Sequence, residues 1–266
     1  MTYWPTIKKW IKRITIISLI LLNVSAISAK NCIKSHNAII RGDTTRQELA
    51  LVFTGGDYSD GGQYIARVLK KYAIKAGFFF TGDFYRDSSN FPLINNLKNS
   101  DHYLGPHSDQ HLLYCSWSNR DSLLITRQKF KKDILDNYKE MKKFGIKKKD
   151  SRYFIPPYEW YNRKIVEWAD DLGLTLFNFS PGTLSNADYT TPEMDNYRSS
   201  REIYNSIINY EQKASNGLNG FILLIHIGSS PKREDKFYFH LDKLIDDLKQ
   251  KGYNLIRIDN LLQKCE

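Results

Sequence analysis

The chain has 266 residues, with 39 Lys and Arg against 29 Asp and Glu and only three cysteines. That length fits one large domain or two small ones, and a 41% hydrophobic and 14% aromatic composition supplies a substantial core. Collagen-like, low-complexity, disulfide-dense and polytopic membrane classes are excluded by these values.

At the start of the chain, Lys8, Lys9, Lys12 and Arg13 stand without an acidic neighbour ahead of the apolar run 14–22 and the small-residue stretch 24–29. This order predicts a secretory signal over 1–29, cleaved after Ala26 or Ala29, and an exported mature chain over 30–266. The apolar run is shorter than the roughly 20 residues a membrane span needs, so no stable span is expected after cleavage, with an uncleaved anchor as the alternative. Cys32 follows Ala29, Lys30 and Asn31, which place a charge and an amide where lipid attachment favours small apolar residues. Export puts Cys32, Cys115 and Cys265 in an oxidising compartment, where a Cys32–Cys265 bond would tie the mature ends together and leave one thiol over.

Four of the ten excess positive charges lie in the signal, which leaves the mature chain near +6. No recognised nucleic-acid module accompanies that charge, so no nucleic-acid partner is expected. The run Lys142, Lys143, Lys147, Lys148, Lys149 reads as a solvated helix end and loop.

Beyond the signal, strand-like segments at 48–54, 76–81, 103–106, 153–156, 174–179, 220–226 and 254–258 alternate with amphipathic segments at 62–72, 91–99, 126–144, 162–172, 199–214 and 237–249. No linker or repeat interrupts them, so they predict a single α/β domain of about seven strands. Continuous apolar runs such as Phe78-Phe79-Phe80 and Phe221-Ile222-Leu223-Leu224-Ile225 suit strands buried on both faces. Two architectures fit: an incomplete β/α barrel, or an open doubly wound sheet. Gly55, Gly56, Gly61 and Gly62 lack the spacing of a dinucleotide-binding turn. Unusual polar residues instead follow several strand ends, at 54–60, 81–83, 107–111, 157–159, 180–183 and 226–228, which favours the barrel.

Among these, His107-Ser108-Asp109-Gln110-His111 places two imidazoles four residues apart, able to face one way on a helical turn and to ligate a divalent metal together with a carboxylate. Ser108 between them could hydrogen-bond within the loop and hold the pair in place. His226 ends a buried strand ahead of Gly228, with an imidazole suited to proton transfer near neutral pH.

Together these segments resemble the polysaccharide deacetylases of the NodB-homology type, carbohydrate esterase family 4. His107 to His111 match the H-[ST]-x-x-H motif and Leu224-Ile225-His226 match L-x-H. The resemblance implies a distorted, incomplete barrel acting on acetylated poly- or oligosaccharide, with His107 and His111 as metal ligands and His226 as the group that protonates the leaving amine or alcohol. It also implies a divalent metal, Zn²⁺ with Co²⁺ or Ni²⁺ as alternatives.

Two motifs depart from the family. Where T-F-D-D-G is usual, the chain reads Val52-Phe53-Thr54-Gly55-Gly56, so Thr54 stands at the general base and Gly55 at the metal-binding aspartate. Asp57 is the expected third ligand, with Asp60 in reserve, against a competing role of both as caps of the following helix. In the R-x-P-Y motif, Ile155 replaces the arginine while Pro157 and Tyr158 remain. Glu159 is then the candidate base, its pKa raised by burial beside Tyr158 and Trp160, with a salt bridge to Arg152 or Arg163 as its competing role. The Tyr158 backbone N–H is the implied oxyanion donor. Tyr58, Phe84, Tyr85, Tyr114, Trp117, Trp160, Tyr161 and Tyr189 are candidate platforms for sugar rings or else core residues. The expected function is therefore an exported, metal-dependent carbohydrate deacetylase, the alternative being a catalytically silent glycan-binding relative.

Overall fold

The computed structural model describes Met1 and residues 32–266, so the expected signal over 1–29 lies, apart from Met1, outside the described residues. The first element is a hairpin of β1 (Ile33–Ser35) and β2 (Ala38–Arg41), which the sequence reading did not anticipate. Its two-residue turn is His36-Asn37, both at positive φ (45° and 72°), the geometry that matches strand twist in tight hairpins.

The long strand β3 (Glu48–Gly55) organises the rest. Along one edge it pairs in parallel with β8 (Phe221–His226), and along the other with β9 (Asn254–Leu255) and then β4 (Gly77–Phe80). β5 (Tyr103–Pro106) adds to β4, giving a parallel sheet. Side-chain alternation divides two cores. Leu49, Leu51 and Phe53 meet the apolar stripes of α1 (Gly62–Lys71), α3 (Phe91–Asn99), α4 (Arg127–Lys143), α6 (Ser200–Lys213) and α7 (Leu241–Gln250), while Ala50 and Val52 face an inner cluster with Phe79, Tyr103, Tyr153, Phe177 and Leu224.

The sheet curls but does not close. Beyond β8, Ser180 N–H donates to Ile222 O (3.0 Å) and Asn178 N–H to Ile39 O (2.9 Å), bringing in the segment after β7 (Thr175–Leu176), which pairs with β6 (Tyr153–Phe154). Between β6 and β5 no strand ladder forms. The seam is held by side chains instead: Ser151 Oγ donates to Leu104 O and Tyr153 N–H donates to Tyr103 Oη (2.8 Å). The result is the expected incomplete barrel with a mostly parallel sheet.

The remaining helices are α2 (Gly82–Arg86), α5 (Arg163–Asp170) and α8 (Ile258–Leu262). The strand expected over 254–258 ends at Leu255, because Ile258 begins α8, which packs Ile258, Leu261 and Leu262 into the inner cluster. Cys32 and Cys265 form a disulfide across 233 residues, and Cys115 is free and buried.

Candidate active site

β3, β4, β5 and β8 end together, and the polar residues that follow them share one face of the barrel. Thr54 and His226 are direct partners in the parallel register, so their side chains point to the same side. His226 is half-buried, and Asp188 grips it twice: Oδ1 lies 2.7 Å from Nδ1, and Oδ2 accepts the His226 backbone N–H at 2.8 Å. Burial alone would oppose a charged imidazole, yet the Asp188 carboxylate and its hydrogen bond, with Glu159 adding to them, raise the pKa of His226 above its ordinary value.

His107 and His111 do converge, with ring centroids 5.0 Å apart, but not on a helical turn. The loop turns through two left-handed residues, Ser108 (φ 73°) and His111 (φ 52°), and Ser108 Oγ accepts the His111 N–H at 2.9 Å. His107 is buried and its Nδ1 lies 2.9 Å from Ile155 O. A carbonyl can only accept, so Nδ1 carries the proton and Nε2 keeps a free lone pair. Burial, followed by the neighbouring His111, holds the His107 pKa well below the usual imidazole range. His111 is pushed down to about 4 by burial and by His226, with Asp57 and Asp133 opposing.

Two residues that the sequence reading missed hold this loop. Asp133 and Asn137 sit one turn apart on the buried stripe of α4, between Phe130, Ile134 and Tyr138. Asp133 Oδ1 accepts the N–H groups of Asp109 (3.2 Å) and Gln110 (3.0 Å), and its Oδ2 accepts Tyr114 Oη–H (2.6 Å). Asn137 Oδ1 accepts His107 N–H (3.2 Å), and its Nδ2 donates to Phe80 O (3.2 Å). Polar residues interrupting an otherwise apolar helical stripe were the available signal.

After β6 the chain passes Pro156-Pro157 and places Tyr158 (φ 59°) and Glu159 (φ 52°) in consecutive left-handed conformations. Such conformations cost non-glycine residues on the order of 1 kcal/mol each, and strain of this kind concentrates where function fixes the backbone. The Tyr158 ring lies against His111 at 4.4 Å. The Glu159 carboxyl is half-buried and makes no ion pair among the described residues; the competing partner Arg152 pairs with Glu266 instead. Burial, with Asp188 adding and His226 opposing, pushes the Glu159 pKa up to about 7.

The departures from the family pattern have structural consequences. Thr54 is 1% exposed and its Oγ1 has no hydrogen-bond partner. Ile155, in the arginine's place, is fully buried in the inner core. A Cβ on Gly55 would fall 2.8 Å from Ile227 Cγ2 and 2.9 Å from Phe80 Cδ1, so no side chain fits there without displacement. Asp57 is exposed, reaching His111 only through its field. Asp60, the reserve ligand, is engaged elsewhere, accepting from Ser229 N–H (2.9 Å), Tyr238 Oη–H (2.9 Å) and Lys236 (3.0 Å). Neither acid caps α1, whose N-cap is Gly61 without a side-chain bond.

The expected metal set of Asp57, His107 and His111 is therefore not assembled: among the described residues no three His, Cys, Asp or Glu side chains form a group able to hold a metal ion. Catalytic zinc sites use three protein donors, and this site as folded supplies two imidazoles without the carboxylate. The donor set does not fit a resident metal.

The aromatic residues divide cleanly. Phe84, Tyr85, Tyr114 and Tyr161 are core, whereas Tyr58, Trp117 and Tyr189 are exposed and Trp160 is half-buried. Tyr189 stands 5.2 Å from the His226 ring and Trp117 5.8 Å from Tyr158.

A parallel α/β barrel left open at one seam, with histidines and acids gathered beyond its strand ends, is the class of protein that fold and site define. The polysaccharide deacetylase family model matches residues 41–177, more than half of the chain, and the chain belongs to that family. It is 26% identical over 234 residues to the peptidoglycan-N-acetylmuramic acid deacetylase PdaA of Bacillus subtilis, covering 88% of this chain and 78% of that one. The solved structure of PdaA superposes with a TM-score of 0.67 at 23% identity, covering 87% of each chain. A peptidoglycan-N-acetylglucosamine deacetylase of Bacillus cereus is 26% identical over 215 residues, covering 81% of this chain and 88% of that one. The fold also matches a carbohydrate esterase family 4 pseudoenzyme from Bacillus anthracis, with a TM-score of 0.66 at 18% identity over 86% of this chain and 70% of that one.

Proposed function

We propose that the chain is an exported hydrolase that removes acetyl groups from an acetylated amino-sugar polymer, with Glu159 as base and His226 as acid. The observation that carries this reading is the pairing of His226 with Asp188 at 2.7 Å, electrostatically coupled to a Glu159 carboxyl whose pKa lies near 7. A carboxyl whose pKa burial raises and an imidazole held above its ordinary value by a carboxylate are suited to taking and giving protons in one turnover. Glu159 takes a proton from the water that attacks the acetyl carbonyl. The Tyr158 N–H receives the developing oxyanion, and the His226 imidazolium protonates the departing nitrogen or oxygen as the bond to the acetyl carbon breaks. Asp188 keeps the imidazole oriented and favours its charged form.

The names of the relatives, which act on N-acetylmuramic acid or N-acetylglucosamine of peptidoglycan, support an acetylated amino-sugar substrate. Export through cleavage of 1–29 is supported by the Cys32–Cys265 disulfide, a bond that persists in oxidising compartments. No helix among the described residues is long and apolar enough to cross a membrane.

Each step is assigned to the chain's own side chains because a third metal donor is not in place. We expect the purified mature chain to retain well under one equivalent of zinc, cobalt or nickel after dialysis; stoichiometric retention would show that Asp57 closes onto the imidazole pair. A second reading, a silent glycan-binding relative, is favoured by the side chains at 54, 55 and 155, where both family acids and the arginine are replaced. Acetate release from acetylated oligosaccharides, measured with chelator and with each added metal, separates the two. Release abolished by His226→Ala supports the hydrolase, and tight glycan binding with no acetate under any condition supports the binder.

A further inference from the structure

The imidazole pair is continuous with an aromatic wall that the acid–base reading does not use. Tyr158 packs on His111, Trp117 meets Tyr158, and Trp117 lies 5.2 Å from Trp160 at 35°. Trp117 is 58% exposed and Tyr158 45% exposed, although both are large and apolar. Side chains of that kind held in contact at the surface mark a binding face. The wall is built rather than loose: Trp160 Nε1 donates to Ser116 O at 3.1 Å, and the Arg120 guanidinium stacks 3.5 Å from the Trp160 ring.

Arg120 is the unusual member. It is half-buried and makes no ion pair with a carboxylate among the described residues. Its Nη1 donates to His36 Nδ1 at 3.1 Å, which leaves that ring neutral, and its buried Nε has no partner. Asp121, next in the chain, is exposed and not paired with it. A half-buried guanidinium without a carboxylate partner among the described residues, stacked on an indole that borders the reacting centre, matches a planar carboxylate.

We propose that Trp117, Tyr158 and Trp160, ending at Arg120, form a subsite for an acidic sugar unit next to the one that loses its acetyl group. The proposal rests on the deacetylase reading for its occupant, a glycan. The indole faces take the apolar face of the ring, and Arg120 pairs with a carboxylate on that sugar, so a carboxylated acetylated oligosaccharide is held more tightly than a neutral one.

Calorimetric titration tests this without requiring turnover. The probes are the neutral N-acetylglucosamine tetramer and a tetrasaccharide alternating N-acetylglucosamine with N-acetylmuramic acid, its lactyl carboxylates free, at low ionic strength. The native chain is expected to bind the acidic probe about threefold to tenfold more tightly. Trp117→Ala should weaken both probes about tenfold, with Trp117→Phe between it and the native chain. Arg120→Gln should erase the preference, weakening the acidic probe more than the neutral one. Thermal melts of each variant confirm that the fold persists. Equal affinity for the two probes, no binding of either, or unchanged affinity in Trp117→Ala would overturn the subsite. Binding with the expected pattern but no acetate release would leave the subsite standing and remove the enzymatic reading alone.

Discussion

At Glu159, the proposed base, stability and the proposed chemistry pull in different directions. It is a half-buried carboxyl in a left-handed backbone conformation, with a pKa pushed from its ordinary 4.5 to about 7. Because the native state holds a proton that the unfolded chain releases, stability falls as pH climbs through that window. His226 contributes the same sign: its raised pKa stabilises the fold at lower pH, and the contribution is lost as pH rises past it. Glu159→Gln, which cannot ionise, is therefore expected to stabilise the chain at pH 8 by about 1–2 kcal/mol in denaturant unfolding, after allowance for solvent screening. No change between pH 5 and pH 8 in the difference between variant and native would contradict this. His107, His111, His226, Tyr158 and Glu159 were all visible in the sequence as residues beyond strand ends. Asp188, outside those strand-end segments, was not, because a contact across 38 residues of chain leaves no local spacing to read.

At the scale of elements, the buried strands were legible because continuous apolar runs such as Phe221 to Ile225 have few alternatives. Short elements were not. β1 and β2 have three and four residues, and their pairing depends on the His36-Asn37 turn rather than on an apolar pattern. The histidine pair was legible as a pair, but its geometry was not: a helical turn and a loop with two left-handed residues give the same four-residue spacing. What fixes that loop lies on α4, where Asp133 satisfies two backbone N–H groups and the buried Tyr114 hydroxyl. Asp133→Ala would leave these three donors unpaired, and buried unpaired donors cost about 1–3 kcal/mol each, so a loss of about 3 kcal/mol or more in denaturant unfolding is expected. A loss no larger than that of an exposed substitution such as Gln128→Ala would show that water replaces the carboxylate.

Across the whole molecule, the ends are joined where the sequence only suggested it. The Cys32–Cys265 bond closes 233 residues beside the inner core. Constraint of the unfolded chain by so long a loop predicts that Cys32→Ser lowers stability by about 2–4 kcal/mol; an unchanged melting temperature in reducing and non-reducing buffer would contradict it. The barrel as a whole was legible because polar residues follow so many of its strands. The open seam between β5 and β6 was not, since it is bridged by Ser151 and Tyr103 side chains that carry no strand signature. This architecture brings Glu159 and the His226–Asp188 pair to one mouth, and the dependence of acetate release on pH tests the proposed acid–base pair most directly. The account predicts a rate that rises as Glu159 ionises near pH 7 and declines when His226 loses its proton, with Glu159→Gln slower by about a hundredfold or more throughout. A level profile between about pH 5 and 9, or a variant with native turnover, would contradict it.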